Sequence, residues 1–564
     1  MRKLFEFLPL QFRIVYRQFL LRVIDLEALS IQADVTRFLG QFAGVLLMIS
    51  LIYSIGLIVP DLTFSKALRT ERTLISMTML VVGLVTVVSW DAVFPDRRDV
   101  LVLAPLPIAP RTILCAKVAA SVAVLGIAIL TLNALPSIEC AIGLGTQHGS
   151  YWGILRSFAA YWFTLIAASA FLYCSVLTVQ GFSALLLPRR LFLRLSAILQ
   201  LVAFGLFLAA YFLQPDLPTH ALMAAPANHQ ALMRFPCFWF FALCDELNGS
   251  LPPALMWLAW RAWIGLGLAV SGAAASLLLC YVRTLRKTIE EPDLVPAAGG
   301  LHWAPRFGNS LQTAIALFCI RSLTRSRQHR VAFAFYLAIV FAIALSVVRT
   351  GLAASVHSPP TMDFMLCTFL MMSFAVIGLR NVFSLPISLT ANWVLRMTQL
   401  HPTQKYLAAT RWSLILFAVL PVWIGSALLS FSFRPLHEIA AHLAVLALLG
   451  FIFADLSLIG FYKVPFTCSY LPGKSNIQFV FWGFLALFLP LAMLGAEHER
   501  RWLNDPVRFA CMIGALVAVA FGLWAFNRYR AKSAVLYFEE LPEEVLTTLG
   551  LTKHLLITEA TGWR

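Results

Sequence analysis

The sequence predicts an all-α polytopic membrane protein with about twelve transmembrane helices in two six-helix repeats. Hydrophobic residues make up 60% of the chain, charged residues only 12%, and the mean hydropathy is +0.82. Apolar runs of about 20 residues, the length that spans a hydrocarbon core of about 30 Å, recur from one end of the chain to the other. Lipid offers backbone groups no hydrogen-bond partner, so each run is expected to be a helix.

Twelve apolar runs are the expected membrane spans, and polar segments that carry charge or proline separate them. Each run approaches or exceeds the length that a helix needs to cross the bilayer. They cover residues 38–59, 74–94, 113–136, 158–181, 195–212, 262–282, 331–348, 364–379, 412–433, 439–461, 478–495 and 509–526.

The distribution of basic residues predicts that both termini are cytoplasmic. With the N-terminus inside, 32 of the 43 Lys and Arg residues fall on the cytoplasmic side. This asymmetry also accounts for the net charge of +16, and no nucleic-acid recognition module accompanies it, so we expect no nucleic-acid partner. Lys66, Arg69 and Arg72 break the pattern: either they form an external patch or the first two spans are misplaced.

Residues 1–37 mix charges with apolar residues, which indicates an amphipathic cytoplasmic helix leading into the first span rather than a cleaved signal peptide. Its apolar positions alternate in steps of three and four, as one helical stripe requires. These positions are Phe5, Leu8, Phe12, Val15, Phe19 and Val23. A plain cytoplasmic helix that never touches the membrane surface fits the same spacing.

The chain divides into two membrane halves, residues 38–282 and 331–526. A polar segment, 283–330, supplies a cytoplasmic linker and a second leading helix, and residues 527–564 form a cytoplasmic tail. In both halves a proline-bearing loop, with Pro107 or Pro386, lies between the second and third spans, and a cation, Lys117 or Arg411, follows it. This correspondence suggests a parallel duplication, as transporters use to build a pathway between two halves.

Polar side chains inside the apolar runs are the candidates for contact with a transported substrate or proton, because such groups are costly at membrane depth. They are Asp455, His442 and Asn133. Asp455 is the leading candidate, although a hydrogen bond between helices is the simpler explanation of it. The cysteines show no metal-ligand spacing, so no metal is expected. Cys237 and Cys244 share an outside loop where a disulfide is chemically possible, although two helical turns would separate them in a helix.

The loop after the second span resembles a known family. The segments Asp96-Arg97-Arg98-Asp99-Val100-Leu101 and Leu103-Ala104-Pro105-Leu106-Pro107-Ile108, with Arg111 and Lys117, are similar to the cytoplasmic loop of ABC-2 type permeases, the membrane subunits of ATP-driven exporters. The second half resembles it more loosely, from Pro386 through Trp393 and from Tyr406 to Arg411. The chain departs from the family pattern because two six-helix halves are fused.

The resemblance implies a permease with no catalytic residues, located in a cell inner membrane and coupled to a separate ABC ATPase, expected in two copies. ATP and Mg would bind that partner, and this chain would carry no cofactor. In this chain Gly473-Lys474-Ser475 lacks the upstream glycine of a phosphate-binding loop. The expected partner-coupling residues are Asp96, Arg97, Arg98, Asp99, Pro105, Pro107, Arg111, Lys117, Pro386, Asn392, Arg396 and Arg411. The transported substrate is not readable.

Two other function classes stay open. An ion-coupled secondary transporter of major-facilitator-like layout also has twelve helices in two halves, and Asp96-Arg97-Arg98 imitates part of its loop pattern, without the glycine. An integral-membrane transferase would need clustered acidic and histidine residues at the membrane interface, whereas Glu139, His148 and Asp216 are dispersed along the chain.

Overall fold

The computed structural model of the chain is helical throughout its described parts, with no strand among them. The structure describes residues 35–58, 64–90, 108–145, 151–215, 219–290, 309–353, 362–385, 403–431, 436–467, 487–503 and 505–534. It also describes residues 9, 11, 12, 15, 16, 19, 93, 217 and 536, and leaves out residue 216 and residue 218.

Eighteen α-helices form this fold, counted over the described residues. In the first half they are α1 (Val35–Ile58), α2 (Phe64–Val88), α3 (Pro110–Asn133), α4 (Pro136–Gly145), α5 (Tyr151–Leu186), α6 (Arg189–Leu213), α7 (His220–Ala224), α8 (His229–Arg234), α9 (Pro236–Asn248) and α10 (Met256–Glu290). In the second they are α11 (Ser310–Arg325), α12 (Arg327–Ala353), α13 (Met362–Phe383), α14 (Thr403–Leu414), α15 (Leu420–Phe431), α16 (Leu436–Ser457), α17 (Leu489–Trp502) and α18 (Pro506–Ser533).

Eight helical segments in the described residues are long and apolar enough to cross a membrane, which confirms an all-α polytopic membrane protein. They are Leu68–Val88, Pro110–Asn133, Tyr151–Leu186, Pro253–Cys280, Met362–Phe383, Lys405–Ser430, His437–Ser457 and Pro506–Ser533. Three more predicted spans overlap shorter apolar stretches in α1, α6 and α12. The eleventh run lies partly outside the described residues. The total of twelve spans and the sidedness of the termini therefore stay predictions.

In the first half, the long helix α5 packs against α2, α4, α9 and α10. Tyr161 and Leu165 of α5 and Phe238 and Phe240 of α9 are fully buried in this core. The aromatic segment 235–241, for which the sequence suggests a helix at the membrane interface, is thus a core helix of the half.

In the second half, α13 packs against α12, α16 and α17. Gly378 permits the close approach of α12, because a Cβ at that position would collide with Tyr336. One π-helical turn, Ile415–Val419, joins α14 to α15 just before Pro421. A proline lacks the backbone N–H that would continue the regular ladder, which explains the irregular turn at this point.

The two halves meet where α6 packs along α12. The rings of Phe204 and Phe335 lie with centroids 4.4 Å apart, and Ala338 and Ala342 face the same apolar cluster. Small side chains of this kind let membrane helices approach closely. This contact between the halves is apolar.

Candidate functional site

Three of the predicted coupling residues fall within the described parts of the chain: Arg111, Lys117 and Arg411. The structure places each of them in the first turns of the helix that follows a proline-bearing loop. The other nine predictions, Asp96, Arg97, Arg98, Asp99, Pro105, Pro107, Pro386, Asn392 and Arg396, lie outside the described residues.

Lys117 of α3 is buried against the N-terminal segment. Its ammonium lies 4.9 Å from the centre of the Phe19 ring, and Lys117 is only 2% exposed. A cation over an aromatic face in a desolvated site is attracted by the ring quadrupole. The same contact includes the apolar side chains Val15, Ile113, Ala116 and Ala120. Described residues of the predicted amphipathic helix thus pack on the base of α3.

Arg411 and Asp455, predicted for separate roles, form one bidentate ion pair between α14 and α16. The Arg411 Nε and Nη2 atoms donate to the two Asp455 carboxylate oxygens at 2.6 and 2.9 Å. Asn527 of α18 donates to the Asp455 backbone carbonyl at 2.7 Å. The Asp455 side chain is 1% exposed and that of Arg411 21%, so the carboxylate is buried and the guanidinium half-buried. We call this group the three-helix latch, because it ties α14, α16 and α18 together.

The geometry of the three-helix latch favours a structural role for Asp455. Bidentate hydrogen bonds to a guanidinium are among the strongest that a carboxylate makes. Breaking a buried pair by removing one partner leaves an uncompensated charge, which costs about 3–5 kcal/mol. Asp455 therefore links its neighbouring helices, and both oxygens of its carboxylate are already hydrogen-bonded to Arg411.

Asn133, the third candidate for the pathway, lies in a hydrogen-bond network between helices of the first half. Its Oδ1 accepts from Tyr161 at 2.8 Å, and its Nδ2 donates to Thr78 at 3.0 Å. All three residues are fully buried or nearly so. The network joins α2, α3 and α5, so the described contacts of Asn133 are structural.

His442 joins three helices of the second half. Its Nδ1 lies 2.8 Å from Glu499 Oε1 on α17, and its Nε2 lies 3.0 Å from Thr368 Oγ1 on α13. Glu499 and Thr368 are fully buried. The Thr368 hydroxyl also lies within hydrogen-bond distance, 2.7 Å, of the Met365 carbonyl in its own helix. We call these three residues the α17 cluster.

A proton therefore lies on the contact between His442 and Glu499. Because one of the two atoms must donate, the short contact joins either a protonated Nδ1 to a carboxylate or an unprotonated Nδ1 to a carboxylic acid. The order threonine, histidine, glutamate is also that of a nucleophile, a base and an orienting acid. The Thr368 hydroxyl is buried and lies within hydrogen-bond distance of its own helix backbone, so it is not placed for attack.

Glu71 and Asp245 bring two carboxyl groups together in the first half. Glu71 on α2 is fully buried, and Asp245 on α9 is 1% exposed and acts on Glu71 electrostatically. Asp245 Oδ2 lies 2.9 Å from His220 Nε2, and its Oδ1 accepts from Ser250 at 3.1 Å. Within the described residues neither Glu71 oxygen has a hydrogen bond of regular geometry, although the Cys244 thiol faces it. We call this group the α9 cluster.

The ends of α9 fix the position of Asp245. Pro236 occupies the first turn, where a missing N–H is harmless. At the other end Gly249 adopts φ of +82°, the left-handed conformation that favours glycine, and the Ser250 N–H returns to the Asp245 carbonyl at 2.9 Å. Asn248 accepts from Ser157 of α5 at 2.6 Å. These contacts hold the C-terminal turn of α9 rigidly against the core.

Cys237 and Cys244 are both free thiols, so the structure contains no disulfide between them. Both lie on α9, two turns apart, which is too far for a bridge. Burial raises the pKa of the Cys237 thiol to about 12. Burial first, and then the nearby Glu71 carboxyl, raise the pKa of Cys244 well above its ordinary value. Both cysteines are therefore buried core residues whose thiols are uncharged at neutral pH.

Sequence reasoning missed Glu71, Asp245 and Glu499 because it placed them in loops. The second predicted span begins at residue 74, whereas α2 begins at Phe64, and the eleventh run ends at 495, whereas α17 continues to Trp502. Polar residues at helix ends lower the local hydropathy, so a window on hydropathy stops short of them.

Among the described residues no group of three or more His, Cys, Asp or Glu side chains has the arrangement to hold a metal ion. Comparison of the chain with protein-family models, with curated proteins and with solved structures finds no match in any of the three. The structure and the composition together establish an all-α, membrane-embedded protein. Among its described residues, the buried acidic side chains lie in the three-helix latch, the α9 cluster and the α17 cluster.

Proposed function

We propose that the chain is the membrane permease of an ATP-driven exporter, similar to ABC-2 type permeases. It lies in a cell inner membrane, with twelve spans in two six-helix halves and both termini in the cytoplasm. A separate ATPase, in two copies, binds ATP and Mg and hydrolyses the nucleotide. This chain supplies the pathway for an unidentified substrate and the loops that contact the ATPase.

The observation that carries this proposal is that the two cations following the proline-bearing loops are both held by contacts inside the protein. Lys117 lies over Phe19, and Arg411 is paired with Asp455. Both are anchored inside the protein at the start of a membrane helix. A rigid anchor at the base of a span is what a loop needs if it is to transmit a partner's movement into the membrane.

Charged and proline residues in the loops suit the contact with the ATPase. Prolines fix the backbone, and the charged side chains, including Asp96, Arg97, Arg98 and Asp99, offer charge-assisted hydrogen bonds to a partner. Arg411, by contrast, engages Asp455, so its proposed role is to pass movement from the second loop to α16 and α18. Closure of the ATPase dimer would then change the angle between the halves.

Purification of the tagged chain from its native host in gentle detergent tests the proposal. We expect mass spectrometry to find a stoichiometric ATPase with a complete phosphate-binding loop. Replacing Arg97, Arg98 and Arg111 by alanine should release that ATPase while the chain still inserts. The matched control replaces Arg500 and Arg501, two partly exposed cations of α17. An intact chain that brings no ATPase contradicts the proposal.

An ion-coupled secondary transporter is the second candidate function, and the α9 cluster favours it. A buried acidic side chain without a cationic partner among the described residues is a common device for binding a coupling ion. In that case transport by reconstituted vesicles would follow an imposed pH gradient and would need no nucleotide. Transport that requires ATP and a co-purified ATPase would exclude this candidate.

A further inference from the structure

The α9 cluster places two carboxyl groups in an environment that favours only one negative charge. Glu71 and Asp245 are both buried, and the negative charge of Asp245 disfavours the ionised state of Glu71. Transfer of a carboxylate out of water is costly unless it is paired or hydrogen-bonded. Two neighbouring carboxylates also disfavour each other's ionised state. Proton binding is then a property of the pair rather than of either residue alone.

The surroundings of the two groups decide which of them keeps the charge. Asp245 contacts His220 and accepts a hydrogen bond from Ser250, both of which stabilise a carboxylate. Glu71 has no ion pair with a described residue, and its thiol neighbour Cys244 is at most a weak donor. The fully buried Glu71, which has no charged partner among the described residues, is therefore the group of the two that holds the proton.

Three neighbouring helices and α2 itself contribute titratable or charged groups to the environment of Glu71. Its own helix, α2, carries Arg72, whose guanidinium lies 5.9 Å from the centre of the Phe238 ring and acts on the Cys237 thiol. The other neighbours are Cys140 of α4, which also lies close to Glu139, then Tyr161 of α5, and Cys244 and Asp245 of α9. Apart from Arg72 they are neutral or acidic, so they do not supply the missing cation.

His220 lies at the surface of the cluster. It belongs to the short helix α7, its side chain is 19% exposed, and it contacts Asp245 on the inner side. Histidine exchanges protons near neutral pH more readily than any other side chain. His220 thus joins Asp245, the acidic neighbour of Glu71, to the surface of the protein.

We propose that Glu71 is a proton-binding site of the first half, at which Glu71 and Asp245 share one proton that exchanges with water through His220. No covalent bond to carbon changes: a proton leaves water, passes the His220 ring and the Asp245 carboxylate, and forms the O–H bond of the Glu71 carboxylic acid. Proton binding at Glu71 does not depend on what drives transport, so this proposal is independent of the proposed function and is tested separately.

Infrared spectroscopy of the full chain in lipid nanodiscs tests the site. At pH 7 we expect the C=O stretch of a protonated carboxylic acid, its loss in Glu71→Gln, and its retention in Glu497→Gln. Glu497 is a matched control because hydrogen bonds from Arg500 and Arg501 hold its pKa at about 2, so it is ionised. A wild-type spectrum without the band, or a band that Glu71→Gln leaves unchanged, overturns the proposal.

Two further variants keep the test decisive if Glu71→Gln does not fold. Asp245→Asn removes the negative neighbour that favours a protonated Glu71, so the pH at which the band disappears should shift towards acid. His220→Asn keeps a side-chain amide near Asp245 but cannot relay protons, so hydrogen–deuterium exchange of the band should slow. An unshifted midpoint contradicts the shared proton, and an unchanged exchange rate contradicts the route through His220.

Discussion

The two halves bury an acidic side chain in similar positions but treat it differently. In the α17 cluster Glu499 faces an imidazole, whereas in the α9 cluster Glu71 faces a second carboxyl group. The sequence pattern assigns both clusters to the external ends of their helices. The first arrangement satisfies one carboxyl oxygen through a proton-bearing contact, and the second leaves Glu71 to hold a proton itself.

The difference teaches that burial alone does not define the role of an acidic residue in this protein. The three-helix latch and the α17 cluster each cross-link three helices through a paired acid, which is expected to stabilise the second half. The α9 cluster has no such cation for Glu71 among the described residues, which is expected to preserve a group that can change its charge. The variants below separate these roles, from the largest expected effect to the smallest.

Replacing Arg411 by alanine should have the largest effect, because it leaves Asp455 buried without its partner. We expect a loss of about 3–5 kcal/mol in the free energy of unfolding. Denaturant unfolding of the chain in nanodiscs measures it. Arg411→Lys keeps the charge but loses the bidentate geometry, so it should fall between the wild type and Arg411→Ala. A stability within about 1 kcal/mol of the wild type would show that the latch does not hold these helices.

Replacing His442 by leucine should have the next largest effect. Glu499 then loses its only described hydrogen-bond partner, and hydrogen bonds to charged groups contribute about 1.5–3 kcal/mol. The matched change Thr368→Val removes the neutral end of the same cluster and should cost about 1 kcal/mol. Equal losses in the two variants would contradict a charged or proton-sharing contact between His442 and Glu499.

His329 should make stability depend on pH in the acid range. It is buried before the apolar part of α12, where its Nε2 donates to the Leu385 carbonyl at 2.8 Å and its Nδ1 accepts from the Ser326 hydroxyl at 2.6 Å. Burial lowers the pKa of His329, and the bond to Leu385 opposes this only in part. The unfolded chain therefore binds a proton first, at about pH 6.5, as the pH falls.

Stability contributed at His329 is complete above about pH 6.5 and is lost progressively as the pH falls towards the lowered pKa of the folded state. His329→Gln, which can still donate to Leu385, should flatten this part of the profile. Unfolding at a series of pH values measures the slope. A variant whose slope equals that of the wild type would show that another group titrates in this range.

The smallest effect concerns the two cysteines of α9. Because burial raises the pKa of both thiols and removes them from solvent, a water-soluble maleimide should leave Cys237 and Cys244 unlabelled in the folded chain. Denaturation should make both reactive without a reducing agent, since neither is in a disulfide. Mass spectrometry of the labelled peptides reads the result, and labelling before denaturation would contradict a core position for α9.

The fold class could be predicted from the sequence because apolar length is a strong signal, but the acidic clusters could not. Asp455 was found because it interrupts a long apolar run in its middle. The pairing of Asp455 with Arg411 could not be predicted, because the two residues are 44 positions apart and only the packing of α14 on α16 brings them together. Glu71 and Glu499 lie at helix ends, where hydropathy alone does not separate a helix from a loop.

The most direct test of the contrast between the halves is to compare Glu71→Leu with Glu499→Leu in one unfolding assay at pH 7. Replacement of a buried, unpartnered polar group by an apolar one is nearly neutral or stabilising, whereas stranding the His442 ring should cost about 1–3 kcal/mol. The account predicts that Glu71→Leu is at least as stable as the wild type and that Glu499→Leu is less stable. Similar losses in both variants, or the reverse order, would contradict it.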